Sequence, residues 1–121
     1  MPIHQGGCHC RRVRFEVEGS IGNVVVCNCS ICAKTAYLHW EVEPARFRLL
    51  TPDRSIRTNR FGTMTSRNHF CEVCGISSFR RSRTAPEKID VNVRCLDGVD
   101  AAFVSTEPFD GRNWEEAVKG R

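Results

Sequence analysis

Eight cysteines carry most of the chemistry open to this chain of 121 residues. They stand at positions 8, 10, 27, 29, 32, 71, 74 and 95. Seven fall in three tight groups: Cys8-His9-Cys10, Cys27-Asn28-Cys29-Ser30-Ile31-Cys32 and Cys71-Glu72-Val73-Cys74. Disulfide frameworks scatter their half-cystines, whereas metal sites gather ligands in pairs. The residues from Met1 to Gly7 lack the apolar stretch of a secretory signal, so a cytoplasmic, reducing setting is expected, where cysteine clusters mean metal or catalysis. With 40% apolar residues the chain can build a core of its own, so the cysteines are not needed as staples.

Cys71-Glu72-Val73-Cys74-Gly75 has the spacing of a zinc knuckle. Two intervening residues let the backbone curl until both thiolates face one ion, and Gly75 can take the positive φ such a turn needs. Cys8-His9-Cys10 is the companion pair. Read as a strand, its cysteines share a face and His9 points away to solvent. Cys8, Cys10, Cys71 and Cys74 then make a closed, structural four-sulfur site that ties the N-terminus to the second half of the chain.

The central group supplies three thiolates, Cys27, Cys29 and Cys32. Three protein ligands with one position free mark a catalytic zinc rather than a structural one. Three thiolates weaken the ion as an activator of water, yet leave it suited to a fourth, soft sulfur ligand. The residues therefore point to a thiol substrate. A second closed site is the alternative, with Cys95 or His69 as fourth ligand. Cys95 shares an expected strand face with Ile89, Val91 and Val93, which makes it a buried free thiol.

The formal charge is +4, and 15 of the 18 basic residues are Arg. Arg grips carboxylates and phosphates with a planar fork, which makes an anionic ligand plausible. Arg57, Arg60, Arg67 and Arg94 are the candidate contacts, though a mixed solvated surface, with each of them a solvated strand residue, is the simpler reading. The excess charge is too small and too dispersed to establish nucleic-acid binding. No apolar run approaches the ~20 residues of a membrane helix. Tyr37, His39 and Trp40 follow the central group and can form an apolar wall, with Tyr37 and Trp40 in the core. No residue stands out as a general acid or base. The competing reading is a non-catalytic binding module, in which Arg80, Arg81 and Arg83 contact an acidic protein or nucleic acid. A thiol-based sensor that loses zinc on oxidation is a third.

The elements that must carry these residues are mostly strands. Residues 13–18 alternate apolar and charged, and residues 24–26, 37–42, 46–50, 55–61 and 77–81 read as further strands. Residues 89–95 alternate most clearly. Turn signals lie at 51–53, 85–87 and 96–98. Only short helices fit, one just after Cys29 and one over residues 114–119. The pattern predicts an all-β domain.

On these residues the chain resembles the glutathione-dependent formaldehyde-activating enzyme family, including its centromere-protein-V-like members. The resemblance is carried by Gly7-Cys8-His9-Cys10 with Val13-Arg14-Phe15, by the central cysteine group, and by Phe70-Cys71-Glu72-Val73-Cys74-Gly75 followed by Phe79. Residues 91–98 and 109–115 add to it, and one domain over residues 3–118 is expected. The resemblance implies a β-tent zinc fold of short antiparallel strands. It implies Zn2+ at two sites: a structural one on Cys8, Cys10, Cys71 and Cys74, and an active one on Cys27, Cys29 and Cys32. The activity implied is carbon–sulfur lyase chemistry, joining glutathione and formaldehyde into S-(hydroxymethyl)glutathione. Two positions depart from the family: Arg11 stands where a Gly is common, and Asn28 where a His is common.

Overall fold

A computed structural model describes residues 2–61, 66–81, 87–110 and 113. Among them, ten strands form two sheets. The smaller sheet has the order β1-β2-β5, from β1 (Ile3–Gly7), β2 (Arg14–Glu18) and β5 (Phe47–Leu49). The larger runs β10-β3-β4-β9-β8-β7-β6. Its strands are β3 (Val24–Cys27), β4 (Leu38–Val42), β6 (Ile56–Phe61), β7 (Ser66–Cys71), β8 (Phe79–Arg81), β9 (Ile89–Asn92) and β10 (Thr106–Phe109). Every pairing is antiparallel except that of β10 with β3. One short helix, α1 (Ser30–Thr35), follows β3, as the sequence leads one to expect. The expected helix over residues 114–119 lies outside the described residues.

Period-two patterning explains which side chains enter the core. Phe15 and Val17 of β2 are fully buried, while Arg14 and Glu16, which alternate with them, are not. They join Val24, Leu38, Trp40, Val42, Ile89, Val91, Val93 and Leu96 in one apolar cluster. Strand β9 sits in mid-sheet with all four residues buried. Ile89 and Val91 enter the cluster, so Asp90 and Asn92 project from the opposite face. Strand β4 does the same with Leu38, Trp40 and Val42 in the core and His39 on the other side. Register then sets the polar face. Arg80 stands opposite Asp90, and His39 stands opposite Asn92.

Two expectations about backbone are corrected. The Cys8–Cys10 segment is a turn beyond β1, closed by Arg11 N–H donating to Cys8 O at 3.3 Å and by Cys8 N–H donating to Val13 O at 3.0 Å. A strand would need a partner there, and the turn instead brings the sulfurs around one point. The alternation of residues 89–95 also stops early: Val93–Cys95 is a 3-10 turn. Asn92 ends the strand, because its side-chain oxygen accepts from Arg94 N–H at 3.1 Å. Val93 still fills the core, but Cys95 does not share its face and is only half-buried. Gly6 lies so close to the Cys95 carbonyl that a Cβ would collide with it. The end of β1 is thereby pressed on this turn, with Asp97 N–H donating to Gln5 O at 2.8 Å.

Candidate metal centres

All eight cysteines are free thiols, and seven converge on two points. The sulfurs of Cys8, Cys10, Cys71 and Cys74 lie within 4.8 Å of one another. Cys8–Cys10 and Cys10–Cys71 are 3.6 and 3.5 Å apart. A tetrahedron with Zn–S bonds of ~2.3 Å sets sulfurs about 3.8 Å apart, so the spacing fits zinc with little adjustment. Both turns point amides at sulfur: Val13 N–H donates to Cys8 Sγ at 3.3 Å, and Val73 N–H to Cys71 Sγ at 3.4 Å. Gly75 adopts φ +78°, the left-handed conformation expected after a knuckle. Arg11 adopts φ +70° at the matching place in the first turn, where the family commonly has Gly.

The electrostatics also ask for a cation. Burial pushes the Cys8 thiol up to about 11. The backbone N–H of Arg12 leads in pulling Cys10 down to about 6. Burial pushes Cys74 up, but N–H groups of Cys10 and Ile76 outweigh it and the net shift is downward. Four sulfurs this close cannot all ionise without a positive charge among them, and a divalent metal supplies one. Around them Cys8, Val13 and Cys71 form a small apolar cluster with Leu49, Ile56 and Phe79. Cys8 follows β1 of the smaller sheet and Cys71 ends β7 of the larger, so this centre stitches the two sheets together.

The second centre sits at the junction of β3 and α1. Cys27 ends the strand, Cys29 precedes the helix, and Cys32 lies in its first turn. Their sulfurs also lie within 4.8 Å of one another. Hydrogen bonding from Cys27, then Cys32, draws Cys29 strongly toward the thiolate. The same sharing, led by Cys29, raises Cys27. Cys32 is raised furthest, by Cys27 first, then Cys29 and burial. This donor set again suits a soft divalent ion. Neither Cys95 nor His69 belongs to the converging group. Cys95 Sγ instead donates to Ser77 O at 3.8 Å, and the His69 ring packs on Phe79. Asn28 anchors the group to β10: its Nδ2 donates to Asp110 Oδ1 at 2.9 Å, and its N–H to Phe109 O at 3.3 Å.

Behind Cys32 lies a buried polar cluster that sequence reasoning missed. His39 Nε2 is 3.2 Å from Cys32 Sγ, and His39 Nδ1 is 2.5 Å from Asp90 Oδ2. Arg80 Nε donates to the same Asp90 oxygen at 3.3 Å, and Arg80 Nη2 donates to Cys32 Sγ at 3.6 Å. Arg80 Nη2 is also 3.2 Å from His39 Nδ1, but the shorter Asp90 contact claims that ring position. The Arg80 guanidinium carbon lies 5.0 Å from the centre of the Tyr37 ring, whose hydroxyl donates to Asp90 O. Tyr37 and Trp40 are buried as expected. His39 is not part of an apolar wall, because its ring nitrogens face a carboxylate and a sulfur.

The arginines divide differently from the expectation. Arg80 is buried, so the proposed surface patch of Arg80, Arg81 and Arg83 loses its first member, and Arg83 lies outside the described residues. Arg57 pairs with Glu72 at 2.5 Å. The side chains of Arg60 and Arg67 lie outside the description. Arg94 Nε donates to Ala36 O at 2.7 Å. With Arg11 it lines a hollow of about 450 Å³ that reaches from Thr35, at the end of α1, to Cys95. His9 is exposed at its rim.

No described helix is long and apolar enough to cross a membrane. A solved structure of a Rhodobacter sphaeroides protein is similar, with 30% sequence identity and a TM-score of 0.78. The match covers 86% of this chain and 97% of that one. Residues 3–110 match the family described as glutathione-dependent formaldehyde-activating enzyme. That span takes in both cysteine centres and all ten strands, and the chain belongs to the glutathione-dependent formaldehyde-activating enzyme family.

Proposed function

We propose that this protein is a zinc-dependent carbon–sulfur lyase that joins a small thiol, with glutathione as the first candidate, to formaldehyde or a related carbonyl compound. The observation that carries the reading is the unequal division of the cysteines. Four sulfurs converge at one centre and three at the other. A four-sulfur shell is full, whereas a three-sulfur shell leaves room for a substrate ligand. Cys8, Cys10, Cys71 and Cys74 hold the structural Zn2+, and Cys27, Cys29 and Cys32 hold the catalytic one. Zinc bound there supplies a Lewis acid that keeps a soft sulfur ligand ionised.

The reaction needs no oxidant or reductant. The sulfur's electron pair forms the C–S bond to the carbonyl carbon. The π pair moves to oxygen, and the proton lost by the thiol ends there as the hydroxyl of an S-hydroxymethyl adduct. The reverse breaks the C–S bond. Holding both reactants together supplies part of the acceleration. Glutathione carries two carboxylates, and we place them toward Arg11 and Arg94 in the hollow beside α1. The finer placement in the centromere-protein-V-like branch, a single zinc domain over residues 3–118 and a cytoplasmic setting complete the reading. Burial of Arg80 weighs against a nucleic-acid surface at its strand.

Exchange between free formaldehyde and its glutathione adduct can be followed by carbon-13 NMR. The zinc-loaded protein should accelerate exchange at least about tenfold over the spontaneous rate, and Cys27→Ser should return it to that rate. Fully zinc-loaded protein that leaves exchange at the spontaneous rate overturns the lyase reading.

A further inference from the structure

A three-thiolate shell around a divalent ion already carries a net negative charge, and a thiolate substrate adds another. Something must offset that charge. Among the described residues, the arginine that reaches this centre is Arg80, with Nη2 3.6 Å from Cys32 Sγ. Its side chain is only 9% exposed, so its charge is felt with little screening. A guanidinium stays protonated across the working pH range, so this charge is permanent.

Two contacts fix its direction. Asp90 Oδ2 accepts from Nε at 3.3 Å on one edge, and Tyr37 lies under the guanidinium plane. Strand register puts Arg80 directly opposite Asp90, so the pair is set by the sheet itself. Asp90 is kept from the sulfurs by the His39 ring, which touches Asp90 with Nδ1 and Cys32 with Nε2. The positive end of the pair therefore faces the Cys32 sulfur and the negative end lies behind the His39 ring.

We propose that Arg80 is a positioning residue of the three-cysteine centre: held by Asp90 and Tyr37, it lends the shell a buried positive charge that lets an anionic sulfur take the fourth position. The proposal rests on the open-site reading above. It adds a cause for the site's preference for thiolates over neutral ligands.

The test uses the full chain loaded with cobalt(II) at both centres. Two probes are titrated: 2-mercaptoethanol, followed by the sulfur-to-cobalt charge-transfer band, and imidazole, followed by the visible ligand-field bands. Arg80→Met leaves Asp90 buried without its cation and can fail to fold, so the informative variant is Arg80→Met with Asp90→Asn, which removes both charges together. It should lose about tenfold or more in affinity for the thiol and hold its affinity for imidazole within about twofold. Arg80→Lys, which keeps the charge, should stay near the parent for both probes.

Equal losses for thiol and imidazole, or no loss for either, would overturn the proposal, and so would an Arg80→Lys protein that behaves like the neutral pair. A parent protein whose second cobalt takes up neither probe has no free position. That separate result overturns the open-site reading, and the role of Arg80 with it.

Discussion

Arg80 and Asp90 face each other across β8 and β9, Nε to Oδ2 at 3.3 Å, both buried, with Arg80 Nη2 reaching Cys32 of α1. The pair lies ten residues apart in sequence, and only the pairing of the two strands makes it a unit. It divides the sheet into an apolar side, built on Trp40, Phe79 and Val91, and a polar side that supports the three-cysteine centre.

The two centres should differ in what their loss does. Cys74→Ser opens the four-sulfur site that joins the sheets, and should destabilise the protein by at least about 3 kcal/mol with loss of one zinc. Cys27→Ser should also lose one zinc, yet cost clearly less stability than Cys74→Ser, because that centre joins only neighbouring elements. Metal analysis with denaturant unfolding checks both. Equal destabilisation contradicts the division of roles.

Thiol counting tests the same division. Burial pushes Cys95 from 9.0 up to about 11, so it is a neutral, slow thiol at pH 7. With both centres zinc-loaded, an alkylating reagent should modify one cysteine slowly, and all eight after chelation and unfolding. Because the folded thiol has the higher pKa, its contribution to stability is whole below about pH 9 and declines as pH rises toward 11. Mass spectrometry of the modified peptide identifies the residue. Rapid labelling of Cys27, Cys29 or Cys32 in the loaded protein contradicts the assignment.

Ala36 closes α1 in the left-handed region at φ 57°, where its N–H donates to Cys32 O at 3.0 Å. A side chain costs roughly 1–2 kcal/mol there, and Gly returns about 0.5–1 of that as unfolded-state entropy. Ala36→Gly should therefore stabilise the protein by about 0.5–1 kcal/mol. Arg11→Gly, at φ 70°, should act in the same direction. Thermal unfolding of the zinc-loaded variants checks the sign, and a lowered midpoint for both contradicts it.

Asn92 ties three segments with one buried amide. Its oxygen accepts from Leu38 N–H at 3.3 Å and Arg94 N–H at 3.1 Å, and its Nδ2 donates to Ser77 O at 3.0 Å. Asn92→Ala strands these groups and should cost about 2–4 kcal/mol. Hydrogen exchange should quicken at the amides of Leu38 and Arg94. Unchanged protection there contradicts the assigned bonds.

The cysteine centres were legible because a ligand set is written in residue type and local spacing. Gly75 was legible for the same reason: a knuckle needs one residue at positive φ. The Arg80, Asp90 and His39 cluster was not, since it depends on strands that meet only through the sheet order β4-β9-β8. One signal was present. His39 lies between Leu38 and Trp40, and Asp90 between Ile89 and Val91, so each is a polar residue with core neighbours on both sides. Such residues on opposite parity mark a second buried face. Cys95 was misplaced because alternation was extended past Asn92, whose side chain ends the strand by capping the next turn. The strands β1, β7 and β10 escaped notice for want of apolar alternation in Ile3–Gly7, Ser66–Cys71 and Thr106–Phe109.

The most direct measurement is zinc-edge X-ray absorption on protein carrying two zinc ions per chain, before and after addition of glutathione. One closed and one open centre give an average first shell of about 3.5 sulfurs and about 0.5 lighter atoms per zinc, rising to about 4 sulfurs when glutathione binds. An average of about 4 sulfurs before glutathione is added, unchanged afterwards, would mean that both centres are closed and would contradict the account.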